Sequence, residues 1–288
     1  MDRFREILQK YWGYDDFRGI QREIIGSVAE GRDTLGLMPT GGGKSITFQV
    51  PAMAMEGLCL VITPLIALMK DQVYNLNKRG IRAASINMSM SRDDIITTLE
   101  SCVFGGYKFL YVSPERLSSP LFLTKLSHIR VCLIAIDEAH CISQWGYDFR
   151  PSYLQLSALR DLLPSVPILA LTASATPEVA DDIQRQLRFP QPNVFRMSFD
   201  RPNLVYVVRQ TAAMEREILH ILSATSGSAI VYCRSRDGVA EYARMLGKNG
   251  VSATFYHAGL APELRNRRQR EWTSGETRVI VATNAFGM

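Results

Sequence analysis

The sequence has no long apolar stretch and no recognisable leader. Its continuous apolar runs, such as Val131–Ile136, are far shorter than the roughly 18 residues that a membrane span requires. Residues 1–6 lack the apolar core of a secretory signal. These absences exclude the membrane-spanning and secreted classes, so we expect a protein inside the cell: cytoplasmic and nucleoid-associated in a bacterium, nuclear in a eukaryote.

Cysteines are few and are not paired in sequence. The five of them, Cys59, Cys102, Cys132, Cys141 and Cys233, include no C-x-x-C spacing. That spacing is the usual trace of a zinc site, and an odd, scattered set does not suit a disulfide framework. The sequence therefore predicts reduced thiols and no zinc within residues 1–288.

Neither disorder nor an extreme charge is present. Of 288 residues, 47% are hydrophobic and 21% charged, which gives enough apolar surface for a packed core. The 33 Lys and Arg exceed the 28 Asp and Glu by only 5. Such a balance permits an anionic partner but does not require one.

Short apolar runs rich in β-branched residues alternate with longer segments of helical spacing. Continuously apolar strands in such an alternation predict an α/β fold, with a parallel sheet covered by helices on both faces. The expected helices include residues 43–53, 67–78 and 177–187, the last with Thr176 as its N-cap. The expected strands are residues 34–38, 59–63, 109–113, 131–137 and 168–172.

The alternation is interrupted near residues 198–203, where proline and polar residues collect, and then begins again. We therefore expect two domains, residues 1–199 and 200–288. The second ends directly after a strand, where a parallel unit ordinarily continues into a covering helix, so we expect it to be incomplete and the natural protein to continue. Its expected strands are residues 204–208, 228–233, 252–256 and 278–283.

A glycine-rich segment with the properties of a phosphate loop joins the first strand to its helix. Glycines allow backbone N–H groups to converge on phosphate oxygens, and the helix presents its positive end to the same anion. Lys44 would reach the β- and γ-phosphates of a nucleotide, and Ser45 would bind Mg²⁺. Met38 occupies the position of the first glycine in the strict G-x-x-x-x-G-K-S pattern. The predicted phosphate-binding residues are Thr40, Gly41, Gly42, Gly43, Lys44 and Ser45.

Two acids, Asp137 and Glu138, end the apolar run 131–136. Ligands bind at the carboxyl ends of strands in open α/β sheets. We expect Asp137 to hold Mg²⁺ and Glu138 to orient and deprotonate the attacking water. Together with the phosphate loop, this pair predicts an NTPase.

The sequence resembles superfamily 2 helicases, and more narrowly the RecQ-type ATP-dependent DNA helicases. The shared segments are T-G-G-G-K-S at 40–45, D-E-A-H (the DEAH box) at 137–140, S-A-T at 174–176, an aromatic-rich stretch at 141–151, and the stretches at 63–72, 113–117 and 200–203. The resemblance implies two RecA-like lobes of the P-loop class, ATP and Mg²⁺ as cofactors, and single-stranded or forked DNA as partner. It also implies 3′→5′ translocation, duplex unwinding, and a role in DNA repair and recombination.

The resemblance also implies roles for individual residues. Gln21 would read the adenine edge, and Tyr14 and Arg18 would stack on its faces, whereas Phe17 is expected in the core. His140 would act with the catalytic Lys44, Asp137 and Glu138 as a relay to residues 172–176. Residues expected to couple nucleic acid to hydrolysis are Arg116, Trp145, Phe149, Arg150, Arg234 and Thr283. The basic run Arg265, Arg267, Arg268 and Arg270 is interpreted as a solvated helix face.

The family's Q-x-x-G-R-x-G-R motif, whose arginine stabilises charge on the transferred phosphoryl group, does not occur in the sequence. We therefore expect the 288-residue chain alone to bind ATP but to hydrolyse it poorly. Two alternatives remain open: an RNA helicase of the same superfamily, and a catalytically silent nucleic-acid-binding module. Intact Lys44, Ser45, Asp137 and Glu138 argue against the silent module.

Overall fold

The computed structural model describes residues 2–87, 90–146, 148–199 and 203–286. The chain divides into two compact units, Met1–Asn203 and Leu204–Met288. Parts of three sequence motifs, namely Tyr147, residues 200–202 and residues 287–288, lie outside the described residues. No described helix has the length and apolar character needed to cross a membrane.

The first unit alternates strands and helices. Its strands are β1 (Thr34–Leu37), β2 (Leu58–Ile62), β3 (Ala83–Ile86), β4 (Phe109–Val112), β5 (Val131–Ile136), β6 (Ile168–Thr172) and β7 (Val194–Arg196). Its helices are α1 (Asp2–Trp12), α2 (Gln21–Ala29), α3 (Lys44–Ala54), α4 (Ile66–Lys78), α5 (Arg92–Val103), α6 (Pro120–Leu126), α7 (Ser157–Leu162) and α8 (Pro177–Gln186). Short 3₁₀ turns span Pro114–Ser118, Ala139–Ile142 and Pro151–Leu156.

These strands form one parallel sheet in the order β3-β4-β2-β5-β6-β1-β7. Alternate residues of a central strand enter different cores, because side chains alternate across a sheet. On β2, Leu60 and Ile62 join one apolar cluster while Cys59 and Val61 join another. Both faces of the sheet are thus buried, which confirms the predicted α/β architecture.

The predicted central strands and helices are present, with ends within about two residues of expectation. Thr176 caps α8, since its side chain accepts a hydrogen bond from the backbone N–H of Val179. Two strands were not predicted, β3 and β7. Both are short edge strands, and residues at an edge need not form the continuous apolar run that identifies a central strand.

The second unit contains a smaller parallel sheet. It comprises α9 (Met214–Ala224), β8 (Ala229–Tyr232), α10 (Arg236–Lys248), β9 (Ala253–Tyr256), α11 (Pro262–Thr273) and β10 (Val279–Ala282). The strand order is β8-β10-β9, and Val279 and Val281 are fully buried at its centre. The prediction of a strand at residues 204–208 is wrong. Val205 and Val208 there are 86% and 99% exposed, and the segment pairs with no strand among the described residues.

Candidate active site

The glycine-rich segment forms a tight loop between β1 and α3. Gly41 and Gly43 have φ values of +80° and +77°, in the left-handed region that other residues rarely adopt. A Cβ atom at Gly43 would lie 2.3 Å from Nε2 of Gln21. Gly43 therefore has both a conformational and a steric reason to be glycine. Without side chains at the glycines, a phosphate group can come close to the backbone N–H groups of the loop.

The three side chains of the loop occupy different environments. Thr40 is exposed, whereas Lys44 and Ser45 are half-buried at the first turn of α3. The Lys44 ammonium donates a long hydrogen bond of 3.5 Å to the carbonyl oxygen of Met38. This bond folds the lysine back over its own loop.

Gln21, predicted to read adenine, is buried at the phosphate loop. Its Nε2 donates to the carbonyl oxygens of Gly42 and Gly43 at 3.2 and 3.1 Å, and its Oε1 accepts the Arg18 backbone N–H at 2.8 Å. Both ends of the amide thus bond to protein. The Arg18 guanidinium lies 5.2 Å from the centre of the Tyr14 ring. These two flat groups therefore contact each other beside the glutamine.

A cavity of about 310 Å³ connects the two sets of predicted nucleotide-binding residues. It is lined by Tyr14, Arg18 and Gln21 on one side and by the loop glycines and Ser45 on another. Several lining residues were not predicted, because most of them lie on helices whose spacing carries no nucleotide signature. The missed lining residues are Trp12, Asp16, Ile46, Gln49, Gln72, Asn75, Leu76 and Arg79.

The two acids follow β5 at the carboxyl edge of the same sheet. Burial, with the neighbouring Glu138 as a further cause, raises the pKa of Asp137 to about 6. Burial also raises the pKa of Glu138. The positive charge of Lys44 lowers the pKa of both carboxyl groups. The phosphate-loop lysine and the acids therefore share one electrostatic environment.

His140 lies between Glu138 and the end of β6. Its Nδ1 lies 2.8 Å from Oγ1 of Thr172 and 3.3 Å from Oε2 of Glu138. Burial lowers the pKa of His140, which favours the neutral imidazole. Thr172 Oγ1 also accepts the backbone N–H of Ser174 at 3.1 Å. The structure thus brings His140 to the segment that the sequence analysis assigned to it.

The aromatic-rich loop after the acids is at the surface. Trp145 is 79% exposed, while Phe149 and Arg150 are half-buried. The Arg150 guanidinium donates to Oδ2 of Asp148 at 3.1 Å. An exposed tryptophan in a polar loop is free to stack on another flat group.

Polar groups left without partners lie at neighbouring strand ends. Thr63 follows β2 and Ser113 follows β4, and the Thr63 N–H donates to the Val112 carbonyl oxygen at 3.1 Å. The side-chain oxygens of Thr63 and Ser113 and Nε of Arg116 are buried and have no hydrogen-bond partner among the described residues. Arg116 Nη2 donates to the Asn87 carbonyl oxygen at 3.0 Å. Thr63 and Ser113 begin two of the segments shared with helicases, but only Arg116 was predicted to contact nucleic acid.

In the second unit, Arg234 and Thr283 come together at the carboxyl ends of β8 and β10. They line one cavity of about 350 Å³. The basic run on α11 is only partly a solvated face. Arg268 packs over the Phe255 ring, 3.9 Å from its centre, and donates to the Phe255 carbonyl oxygen at 2.6 Å. Part of that run therefore stabilises the unit itself.

A phosphate loop beside two acids at the carboxyl edge of a parallel sheet defines the P-loop nucleotide-binding class. Comparison with known proteins agrees with this class and places the chain among the helicases within it. Residues 18–183 match the DEAD/DEAH box helicase family model, and residues 210–288 match that of the helicase conserved C-terminal domain. The chain belongs to the DEAD/DEAH box helicase family.

Named relatives resemble the chain in sequence, and solved structures resemble it in fold. The chain is 45% identical to the ATP-dependent DNA helicase RecQ of Pasteurella multocida over 98% of its length, and 45% identical to that of Bacillus subtilis over 100%. It spans about half the length of these relatives, 45% and 49%. The DNA-bound structure of the DUF1998 helicase MrfA superposes with a TM-score of 0.75, covering 99% of this chain and 44% of that one, at 19% identity. The structure of Mycobacterium smegmatis helicase Lhr superposes with a TM-score of 0.70 at 20% identity, covering 99% of this chain and 42% of that one.

Proposed function

We propose that this protein is an ATP-dependent DNA helicase, whose first unit is the ATP-binding lobe and whose second unit is part of the partner lobe. The observation that carries the proposal is the shared environment of Lys44, Asp137 and Glu138. A cation and two acids around a glycine cradle are the groups that bind and hydrolyse a nucleoside triphosphate.

The residues present fit Mg·ATP. The glycines at positions 41–43 allow the close backbone approach that phosphate oxygens need, and a Cβ at Gly43 would collide with the Gln21 amide beside the loop. Lys44 would exchange its long bond to Met38 for the phosphates. Ser45 and Asp137 would hold Mg²⁺, which neutralises phosphate charge when bound. The cavity lined by Tyr14, Arg18 and Gln21 would take the base, with Gln21 exchanging its loop contacts for the adenine edge.

Hydrolysis needs a base near the attacking water. Glu138 is suited to this role, because burial raises its pKa and makes its carboxylate a stronger base. His140 contacts both Glu138 and Thr172, so a change at the phosphates would reach residues 172–176 through one imidazole. We propose this path as the link between ATP turnover and movement of the lobes.

The nucleic-acid strand would cross the carboxyl edge of the first sheet. The unpartnered hydroxyls of Thr63 and Ser113 and the Arg116 guanidinium are donors suited to phosphate oxygens, and such contacts carry no sequence preference. Trp145 and Phe149 offer faces for bases, and Arg150 offers a further cation. In the second unit, Arg234 and Thr283 would likewise donate hydrogen bonds to phosphate oxygens.

The choice of DNA over RNA, 3′→5′ translocation, a preference for single-stranded or forked DNA, and a role in repair and recombination are proposals. They are supported by the sequence segments shared with RecQ-type relatives, which are named ATP-dependent DNA helicases. A DNA substrate implies the bacterial cytoplasm and nucleoid, or the nucleus in a eukaryote. For the 288-residue chain by itself we propose ATP binding with slow turnover.

The test is ATP turnover by the natural protein with single-stranded DNA and with RNA of equal length and sequence. We expect strong stimulation by DNA and little by RNA. Equal or greater stimulation by RNA would identify the protein as an RNA helicase that still hydrolyses ATP. Absence of ATP turnover with either polymer would contradict the proposed helicase activity and favour a catalytically silent nucleic-acid-binding module.

A further inference from the structure

Three side chains capable of binding metal meet directly after the acids. They are His140, Cys141 and Asp148, and one ligand atom from each lies within 4.8 Å of the others. Sγ of Cys141 is 3.8 Å from Nε2 of His140 and 3.7 Å from Oδ2 of Asp148. In a tetrahedral zinc site with bonds of about 2.0 to 2.3 Å, sulfur and its neighbouring ligands are about 3.5 Å apart. The two distances from sulfur are therefore close to those in a zinc coordination shell.

We propose that His140, Cys141 and Asp148 bind a zinc-like transition-metal ion, with the fourth coordination position open to water or to a second ligand. Thiolate, imidazole and carboxylate are all established zinc ligands. The Cys141 thiol proton passes to solvent when the ion binds, and the thiolate and carboxylate then balance its double positive charge. Among the described residues, no other three His, Cys, Asp or Glu side chains form such a group.

The His140 imidazole is oriented so that Nε2 can bind a metal ion. A metal-binding histidine commonly donates its other ring N–H to an oxygen, which fixes the ring. Here Nδ1 of His140 faces Oγ1 of Thr172 at 2.8 Å, leaving Nε2 directed towards Cys141. A tautomer with the proton on Nδ1 satisfies both contacts at once.

Burial and charge define how an ion would enter. His140 and Cys141 are only 3% and 0% exposed, whereas the Asp148 side chain is 45% exposed. Entry would therefore come from the Asp148 side. Arg150 now bonds to Oδ2 of Asp148 and would have to release that oxygen. An occupied site would fasten the aromatic-rich loop to the end of β5.

Sequence spacing could not reveal this group. The absence of C-x-x-C predicts no zinc, yet two of the ligands are adjacent in sequence and the third follows seven positions after Cys141. The 3₁₀ turn Ala139–Ile142 and the loop after it bring them together. The proposal concerns a site separate from the Mg²⁺ position at Ser45 and Asp137.

The test uses Co²⁺ as a spectroscopic probe on the purified 288-residue chain, without nucleotide and without added thiols. We expect one equivalent to give a sulfur-to-cobalt charge-transfer band and the intense visible bands of four-coordinate cobalt. Zn²⁺ should remove these bands, because it binds such sites more tightly than Co²⁺. Absence of a charge-transfer band at saturating Co²⁺ would overturn the proposal.

Variants separate this site from any other. Cys141→Ser should abolish the charge-transfer band, whereas Cys132→Ser, at a half-buried cysteine outside the group, should keep it. Thr172→Val should weaken Co²⁺ affinity about 10- to 100-fold through loss of the imidazole's support. Should Cys141→Ser fail to fold, as judged by circular dichroism, Asp148→Asn at the exposed ligand provides the same test through roughly tenfold or greater loss of affinity. A charge-transfer band that persists unchanged in Cys141→Ser, or an unchanged Co²⁺ affinity in Asp148→Asn, would contradict the assignment.

Discussion

Nδ1 of His140 lies 2.8 Å from Oγ1 of Thr172, so the residues after β5 are joined to the last residue of β6. Thr172 is fully buried, and its hydroxyl also accepts the Ser174 N–H. The chain His140, Thr172 and Ser174 is therefore continuous from the acidic pair to the segment at 172–176. Contacts thus run from Glu138 through His140 and Thr172 to the Ser174 backbone.

Thr172→Val removes the shared hydroxyl and keeps the side-chain shape. We expect nucleic-acid-stimulated ATP turnover to fall about tenfold, because loss of one buried hydrogen-bond partner costs about 1 to 3 kcal/mol. ATP affinity should be retained, since Thr172 is not among the residues lining the nucleotide cavity. Thr172→Ser keeps the hydroxyl and should retain stimulation. Equal losses in both variants would show that the hydroxyl is not the link.

Glu138→Gln tests the proposed base. Turnover should fall on the order of 10²- to 10⁴-fold, because an amide cannot take the proton from water. Binding of Mg·ATP should persist, measured by titration calorimetry. Glu241→Gln, at an exposed glutamate on α10, serves as the matched control. Turnover near the wild-type rate in Glu138→Gln would assign the proton transfer to another group.

Asp137→Asn should stabilise the nucleotide-free fold at alkaline pH. The folded pKa is raised to about 6, against about 3.9 for an unfolded aspartate, so the buried carboxylate opposes folding above pH 6. The free energy of unfolding of the variant should exceed that of the wild type by on the order of 1 to 3 kcal/mol at pH 8. This difference should shrink as pH falls from about 6 to 4. Thermal unfolding across pH measures this, with Asp93→Asn as an exposed control. A gain that does not change with pH would refute the assigned cause.

Arg116→Ala tests the proposed phosphate contact. DNA affinity should fall by a similar factor for unrelated sequences, and the slope of log affinity against log salt should decrease by about one charge. Arg130→Ala is the matched control, because Arg130 is exposed and paired with Glu56 just before β5, at the amino end of the strands. Fluorescence anisotropy at several salt concentrations gives both quantities. An unchanged salt slope in Arg116→Ala would remove this residue from the interface.

The central strands could be predicted from the sequence because burial on both faces leaves an uninterrupted apolar run. β2 and β6 are buried at every position and were predicted almost to their ends. The edge strand β3 contains a half-buried serine and alanine, so its run is weaker. The apolar residues 204–208 show the converse, since apolar composition forms no strand without a partner to pair with.

The placement of candidate residues could be predicted where they are neighbours in sequence, as in the glycine-rich loop before α3 and at Asp137 and Glu138 after β5. It was not predictable where the fold brings distant segments together. The sequence predicts that Gln21 binds a base, but it could not reveal the hydrogen bonds of the Gln21 amide to loop glycines 21 and 22 positions later. The hydroxyls of Thr63 and Ser113 become noticeable only once burial leaves them without partners.

Binding of Mg·ATP by the 288-residue chain tests the central claim most directly. Titration calorimetry should show one site in the wild type, with affinity reduced roughly 10- to 100-fold in Lys44→Ala through loss of a charge-assisted contact. Lys248→Ala, at an exposed lysine at the end of α10, should bind as the wild type does. Absence of Mg·ATP binding by the folded wild type, or equal affinity in Lys44→Ala, would contradict the nucleotide site on which the proposed function depends.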